Sequence, residues 1–248
     1  MTRTVTDAAL MLSVLARPDR RDPWALPPEP RDWSLGIEAG IAGWHIGYLP
    51  TINAQPVEPG VAARVDAATD VLVELGARVE AATLDLPGVE DAFGTLWCAG
   101  AAGLLAPLSD SQRALMDPGL VAAAAFGAQR DAVQYLAAIK VRETVTAAVD
   151  ALFERFDLLV MPTMPITAFE TGTDAPASGP YAGWTNWTPF TYPFNLSRHP
   201  AASVPCGLVD GLPAGLQMIG PAFSDEVVLT AARAYEAAAP WPLPALAA

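Results

Sequence analysis

Apolar side chains recur at helical spacing along much of the chain, and the recurring stretches begin and end with residues that commonly cap helices. A Thr and an Asp at capping-box spacing precede apolar positions that predict a helix from Val5 to about Ala16. The same period predicts helices from Glu58 to Leu75 and from Asp225 to Ala239. Over residues 89–156 the alanine-rich sequence predicts a series of helices, broken near Pro107, Pro118 and Gly127.

Short apolar runs between these helices predict β-strands. Strands from Trp44 to Leu49 and from Arg78 to Leu84 flank the second helix, so the three elements form a βαβ unit with parallel strands. The run from Asp157 to Pro162 is apolar after its first residue, which is typical of a strand buried on both faces. The pattern therefore predicts an α/β protein.

A hairpin is predicted near the C-terminus. Its strands are Ala201 to Pro205 and Ala214 to Ile219, and the dipeptide Asp210-Gly211 lies between them. Both residues of that dipeptide accept a positive φ angle, which the tight turns of hairpins require. Pro213 is expected at the entrance of the second strand, where its missing N–H removes no ladder bond.

Three segments lack a periodic pattern. Residues 16–33 are rich in proline, which predicts an extended surface crossing, and its length suits a segment that lies over another protein surface. Residues 163–192 combine Gly, Pro and several aromatic side chains, a composition that predicts a loop supporting a pocket. The proline-rich tail over residues 240–248 is expected to fray.

Composition excludes several classes of function. A hydrophobic content of 52% over 248 residues excludes general disorder. The formal net charge of -13 and the scattering of 14 Lys and Arg residues leave no basic surface for nucleic acid. Apolar runs are too short to cross a bilayer, and the first residues do not resemble a signal peptide, so we expect no membrane association and a cytoplasmic location.

The residues that commonly bind metals and cofactors are sparse. Cys98 and Cys206 lie far apart in apolar surroundings, which favours buried free thiols over a disulfide or a metal site. His45 and His199 have no Cys or acidic neighbour at ligand spacing. No glycine-rich phosphate-binding motif is present. We therefore expect no metal and no cofactor.

A nucleophile with its base is also hard to find. Ser197, Arg198 and His199 are consecutive, but neighbouring side chains on an extended chain point apart, so the serine and histidine are not expected to meet. The only lysine, Lys140, has charged neighbours on a predicted helix, which is typical of a solvated surface residue.

Four segments resemble the amidase signature enzymes. They are MTRTVTDAALMLSVLARPDRRDP, DLLVMPTMP, PFNLSRHPAASVPCG and DGLPAGLQMIGPAFSDEVVL, and they occur in the family's order from Met1 to about Ala239. The resemblance implies an α/β/α sandwich around a mixed β-sheet, represented by its C-terminal half. It implies that residues 1–248 form that portion of one amidase domain, with a helix and crossing (1–34), a βαβ unit (44–84), a helical region (89–156) and a pocket loop, hairpin and final helix (157–248).

The resemblance also implies a chemical reaction, and it implies that the residues that catalyse this reaction are not in this chain. In the family, an N-terminal half supplies a Lys, a bridging Ser and a nucleophilic Ser, which cleave a C–N amide bond through an acyl-enzyme without a cofactor. No residue of this chain is carried over as catalytic, so we expect the chain by itself to have no amidase activity. The alternative is a non-catalytic remnant, or a subunit that binds a partner carrying the missing half; a sheet cut in half also favours self-association.

Alignment with the family places candidate substrate-binding residues in the pocket loop. Thr185, Thr188 and Tyr192 would share one side of a short helix, and Trp184 lies on the same side; the alternative is that the aromatic residues only fill the core. Thr188 stands where glutamine-using relatives have an acidic residue, which implies a neutral aryl or acyl amide as substrate. Arg198-His199 replaces the commoner Gly-Gln, so the adjacent loop is expected to differ.

Overall fold

The structure, a computed structural model, describes residues 1–23 and 31–241. Part of the predicted proline-rich crossing and most of the predicted fraying tail lie outside these residues. Thr4 caps the first helix by accepting a hydrogen bond from the Asp7 N–H. The elements are, in chain order, α1 (Val5–Leu15), β1 (His45–Tyr48), α2 (Pro59–Glu74), β2 (Arg78–Ala81), α3 (Val89–Leu105), α4 (Asp110–Arg113), α5 (Pro118–Gly127), α6 (Ala132–Phe153), β3 (Leu158–Pro162), α7 (Tyr192–Ser197), β4 (Ala201–Val209), β5 (Leu212–Ile219) and α8 (Asp225–Ala238).

The five strands form one mixed sheet in the order β2-β1-β3-β5-β4. β1 runs parallel to both β2 and β3, while β5 runs antiparallel to β3 and β4. The predicted βαβ unit of β1, α2 and β2 is therefore confirmed, although β2 is shorter than predicted. β4 is an edge strand in this sheet.

The predicted hairpin is confirmed, and its strands are longer than the sequence indicated. Asp210 and Gly211 have φ angles of 49° and 85°, so both occupy the left-handed region that a tight turn requires. Pro213 is the second residue of β5 and pairs with Leu208. The register shifts between Pro205 and Gly207, which marks a bulge on the edge strand.

Helices cover both faces of the sheet. Side chains of β3 alternate, so that Leu158 and Val160 belong to a core with α1, α2 and α8, whereas Leu159 and Met161 belong to a second core with α3, α6 and α7. All four side chains are fully buried. The predicted α/β/α sandwich around a mixed sheet is confirmed, and the strong burial of β3 agrees with its apolar sequence.

The alanine-rich region forms the layer of helices on the side of the second core, to which α3 and α6 contribute. α3 packs on both α5 and α6. A glycine, Gly127, lies where α5 approaches the backbone of α3 at Cys98. Within residues 1–23 and 31–241, no helix has the length and apolar character that crossing a membrane requires.

Candidate substrate-binding site

The long loop over residues 163–191 joins the C-terminal end of β3 to α7. β1 and β3 are parallel and end at the same edge of the sheet, the side on which α/β proteins usually bind ligands. The loop is held to the sheet at both ends, because the Thr163 N–H donates to the Gly215 carbonyl at 2.8 Å and the Gln217 side-chain amide donates to the Phe190 carbonyl at 2.7 Å. In its middle, the Tyr181 hydroxyl donates to the Pro56 carbonyl.

The short helix expected around the candidate residues is not present. Thr188 N–H bonds to the Thr185 carbonyl, and Thr191 N–H bonds to the Thr188 carbonyl, which are the contacts of successive turns. The Thr188 hydroxyl also donates to the Thr185 carbonyl at 2.8 Å, and Pro189 has no N–H to continue a helix. A helix begins only at Tyr192, so the prediction of a shared helical face was wrong.

Two of the four candidate residues line one cavity. Trp184 and Thr185 border a space of about 470 Å³ between α3, α5 and the loop, a volume suited to a small organic ligand. We call it the aromatic cavity, because its lining includes Trp97, Phe126 and Trp184. The remaining lining residues include Thr95, Cys98 and three acidic residues, Glu90, Asp91 and Asp174.

Tyr192 lies behind this wall. Its side chain is buried and stacks on Phe93, with ring centroids 4.6 Å apart, and Phe93 stacks in turn on Trp97 at 5.9 Å. Burial, together with the nearby Glu90 carboxylate, raises the pKa of Tyr192 to about 12. The phenol is therefore neutral near pH 7 and supports the aromatic wall rather than acting as a base.

Thr188 lies outside the lining of the aromatic cavity. It is half-buried, and its hydroxyl is engaged with the backbone of the preceding turn. Trp184 and Thr185 thus line the aromatic cavity, whereas Thr188 and Tyr192 lie behind its wall.

Sequence reasoning missed the half of the cavity that α3 and α5 contribute. The helical pattern indicates Trp97 and Phe126 only as parts of scaffold helices, yet they are 50% and 44% exposed. A tryptophan and a phenylalanine in alanine-rich helices were the available signal, because large apolar side chains that face solvent in a group commonly mark binding surfaces.

A second cavity, of about 370 Å³, lies at the end of β3 beside the hairpin. The hydroxyls of Thr163 and Ser203 contact each other there at 2.7 Å, and Phe169 and Trp187 form part of its wall. The chain's only lysine is elsewhere: Lys140 is 79% exposed and pairs with a neighbour on α6, as predicted. The hydroxyl pair therefore has no lysine base from this chain.

Ser197 and His199 do meet, contrary to the expectation from an extended chain. Arg198 has a φ angle of 63°, which turns the backbone and brings His199 Nδ1 to 2.9 Å from Ser197 Oγ. His199 Nε2 lies 3.1 Å from Asp150 Oδ1. Ser197 is only 5% exposed and lies at the end of α7, so a substrate has no access to its hydroxyl. The cluster links α6 to the start of β4.

The His199 cluster predicts a pH-dependent contribution to stability. Burial lowers the pKa of His199 from its ordinary 6.5, and attraction to Asp150 partly opposes that shift. Below about pH 6.5 the unfolded chain takes up a proton that the folded chain does not. The free energy of unfolding therefore decreases as the pH is lowered, by at most about 1.4 kcal/mol per pH unit. Urea unfolding at pH 5.5 and 7.5 should show a smaller difference for His199→Gln than for the unchanged chain; equal differences would contradict this role.

The two cysteines are free thiols, as predicted, although each is only partly buried. Burial raises the pKa of the Cys98 thiol, and it raises that of Cys206 to about 11, so both remain protonated and unreactive near pH 7. Among the residues that the structure describes, no group of three His, Cys, Asp or Glu side chains could hold a metal ion.

Known proteins resemble this chain in both sequence and fold. The family model for Amidase matches residues 1–229. The chain belongs to the amidase family. It is 35% identical to a glutamyl-tRNA(Gln) amidotransferase subunit from Symbiobacterium thermophilum, a match that covers 95% of this chain and 53% of that protein. The corresponding subunit from Myxococcus xanthus is 32% identical, with 95% and 53% covered.

Solved structures of amidase signature enzymes have the same fold. A bacterial aryl acylamidase superposes with a TM-score of 0.84 at 32% identity, covering 97% of this chain and 52% of that protein. The corresponding glutamyl-tRNA(Gln) amidotransferase subunit from Thermotoga maritima gives a TM-score of 0.77 at 29% identity, covering 100% and 55%. The chain spans about half the length of the curated relatives it matches, and the match covers their C-terminal half.

Proposed function

We propose that this chain forms the C-terminal half of an amidase that hydrolyses the C–N bond of a neutral aryl or acyl amide. Its membership of the amidase family over residues 1–229 is the observation that carries the proposal. The likeness to an aryl acylamidase and the tryptophan-lined cavity support an aromatic substrate. Thr188 stands where the family resemblance places an acidic residue in glutamine-using relatives, and this difference in sequence, rather than a contact in the aromatic cavity, supports a neutral amide over glutamine.

In this proposal the chain supplies the sheet and one wall of the substrate site, and a polypeptide outside the chain supplies the nucleophile and its base. Trp184 and Thr185 contact the substrate, while Thr188 and Tyr192 hold the wall in place. The positions of the basic side chains support this division, because Lys140, His45 and His199 each pair with residues away from both cavities. The chain by itself is therefore expected to have no amidase activity.

A second candidate function is that of a subunit that associates with another polypeptide. The curated relatives are subunits of an amidotransferase, and β4 has no strand partner on its outer side among the described residues. A groove of about 790 Å³ follows β4 and is lined mainly by apolar residues of α1, β4 and α8. An edge strand with an apolar groove favours the addition of another chain, although Pro205 blunts the edge.

The proposal predicts that catalysis appears only when the missing half is supplied. The N-terminal half of the bacterial aryl acylamidase, fused to this chain, should hydrolyse acetanilide, whereas this chain alone should release no aniline. The matched control is the same fusion in which the nucleophilic serine of the aryl acylamidase half is changed to alanine. Aniline release by the isolated chain, or a folded fusion that cleaves no aryl or acyl amide, would contradict the proposal.

A further inference from the structure

The aromatic cavity presents two tryptophan rings that the protein itself leaves partly uncovered. Trp97 is 50% exposed and Trp184 is 41% exposed, and their ring centroids are 6.5 Å apart with an interplanar angle of 60°. Two indole rings at this angle form a corner. A flat ring in that corner contacts one indole face-on and the other at its edge, the two arrangements that aromatic pairs favour.

Phe126 closes the cavity on the α5 side and already has a cationic partner. The Arg130 guanidinium carbon lies 3.8 Å from the centroid of the Phe126 ring. One face of the Phe126 ring is therefore occupied, whereas among the described residues no cation lies over Trp97 or Trp184.

The cavity is also bordered by negative charge. Glu90, Asp91 and Asp174 line it, and within residues 1–23 and 31–241 none of the three has an ion-pair partner within 4.0 Å. Glu90 and Asp91 lie in the first turn of α3, where the helix dipole favours acidic residues. Asp174 comes from the loop, so no helix dipole of its own accounts for its position.

We propose that the aromatic cavity binds an aromatic ring that is uncharged or positively charged and excludes rings that carry a negative charge. The identification of this ring as part of an amide substrate rests on the proposed function, whereas the binding itself does not. The indole faces attract a cation through their electron-rich surfaces. The three carboxylates add to that attraction and repel an anion.

Three ligands that share one ring test the charge preference. Acetanilide, its para-trimethylammonium derivative and its para-carboxylate differ only in the charge at the ring, and calorimetric titration of the full chain gives a dissociation constant for each. The cation should bind about tenfold more tightly than the anion in 20 mM NaCl, with acetanilide between them. The difference should shrink in 500 mM NaCl, because the carboxylates are exposed and salt screens them.

Variants separate the contribution of the rings from that of the carboxylates. Trp97→Ala and Trp184→Ala should each weaken binding of the cationic ligand by about two- to fivefold. The triple variant Glu90→Gln, Asp91→Asn, Asp174→Asn should reduce the preference for the cation over the anion to about two- to fivefold, the part that the indole faces supply. Tyr135→Ala is the matched control, because Tyr135 is an aromatic residue on α6 that is 42% exposed, and it should change no affinity.

Equal affinity of the unchanged chain for the three ligands would overturn the inference, and so would a charge preference that is as large in the triple variant as in the unchanged chain. The unchanged chain is sufficient for the first comparison, so the test does not depend on how a variant folds. Binding with the stated charge order but without hydrolysis in the fused protein would retain the inference and reject the proposed function. Hydrolysis by the fused protein, together with no charge preference in the unchanged chain, would retain the proposed function and reject the inference.

Discussion

Replacing Phe190 with alanine is expected to lower the free energy of unfolding by about 3–5 kcal/mol. The Phe190 ring is fully buried in the core beneath α3, α6 and α7, where its removal leaves a cavity that the packed neighbours cannot fill. Its backbone carbonyl accepts the hydrogen bond from Gln217, so the same residue fixes the end of the pocket loop to the sheet. Urea unfolding followed by circular dichroism measures the change.

Phe223→Ala is the matched control for this substitution. Phe223 is 71% exposed, and its φ angle of 64° is equally unfavourable for phenylalanine and alanine, so the change should stay within about 0.5 kcal/mol. A loss at Phe190 no larger than that at Phe223 would show that the ring does not support the core. An intermediate loss of about 1–2 kcal/mol would indicate that the loop collapses into the vacated space.

The fold could be predicted from sequence because its strongest signals are local. The apolar period of α2 and the uninterrupted apolar run of β3 depend only on which face of each element is buried. The turn at Asp210-Gly211 depends only on backbone angles that those two residues accept. The lengths of β4 and β5 were underestimated, because Pro205 and Pro213 suggest strand ends, whereas an edge strand and a strand entrance tolerate proline.

The site was less predictable, because it depends on contacts between distant elements. Trp97 and Trp184 are far apart in sequence and meet only when α3 packs beside the pocket loop. Ser197 and His199 meet because one backbone angle, at Arg198, departs from the extended conformation. Neither the packing partner of a helix nor a single positive φ angle at an arginine follows from spacing or composition.

The position of the two cavities bears on how a complete enzyme would be organised. Both adjoin the loop that follows β3, and the chain contributes aromatic rings, hydroxyls and carboxylates to them. These groups can bind and orient a substrate, but proton transfer from a serine requires a base in contact with it. A division of binding and bond cleavage between two halves of the protein is therefore consistent with the family membership and with the proposed function.

Replacing Gly127 with alanine is expected to cost about 3 kcal/mol of stability and to open the aromatic cavity. A Cβ atom at Gly127 would overlap the Cys98 carbonyl group and lie 2.6 Å from the Ala99 nitrogen. These are backbone atoms of α3, which cannot rotate away, so α3 and α5 must separate and carry Trp97 and Phe126 apart. Urea unfolding measures the loss of stability. Near-ultraviolet circular dichroism reports the altered surroundings of the tryptophan side chains, among them Trp97.

Gly100→Ala is the matched control for the Gly127 substitution. A Cβ atom at Gly100 meets nothing within 4 Å, and alanine favours a helix over glycine by up to about 1 kcal/mol. The control should therefore leave stability unchanged or raise it, and its near-ultraviolet spectrum should match that of the unchanged chain. Equal stability of the two variants would refute the close contact between α3 and α5, because only that contact distinguishes the two added methyl groups.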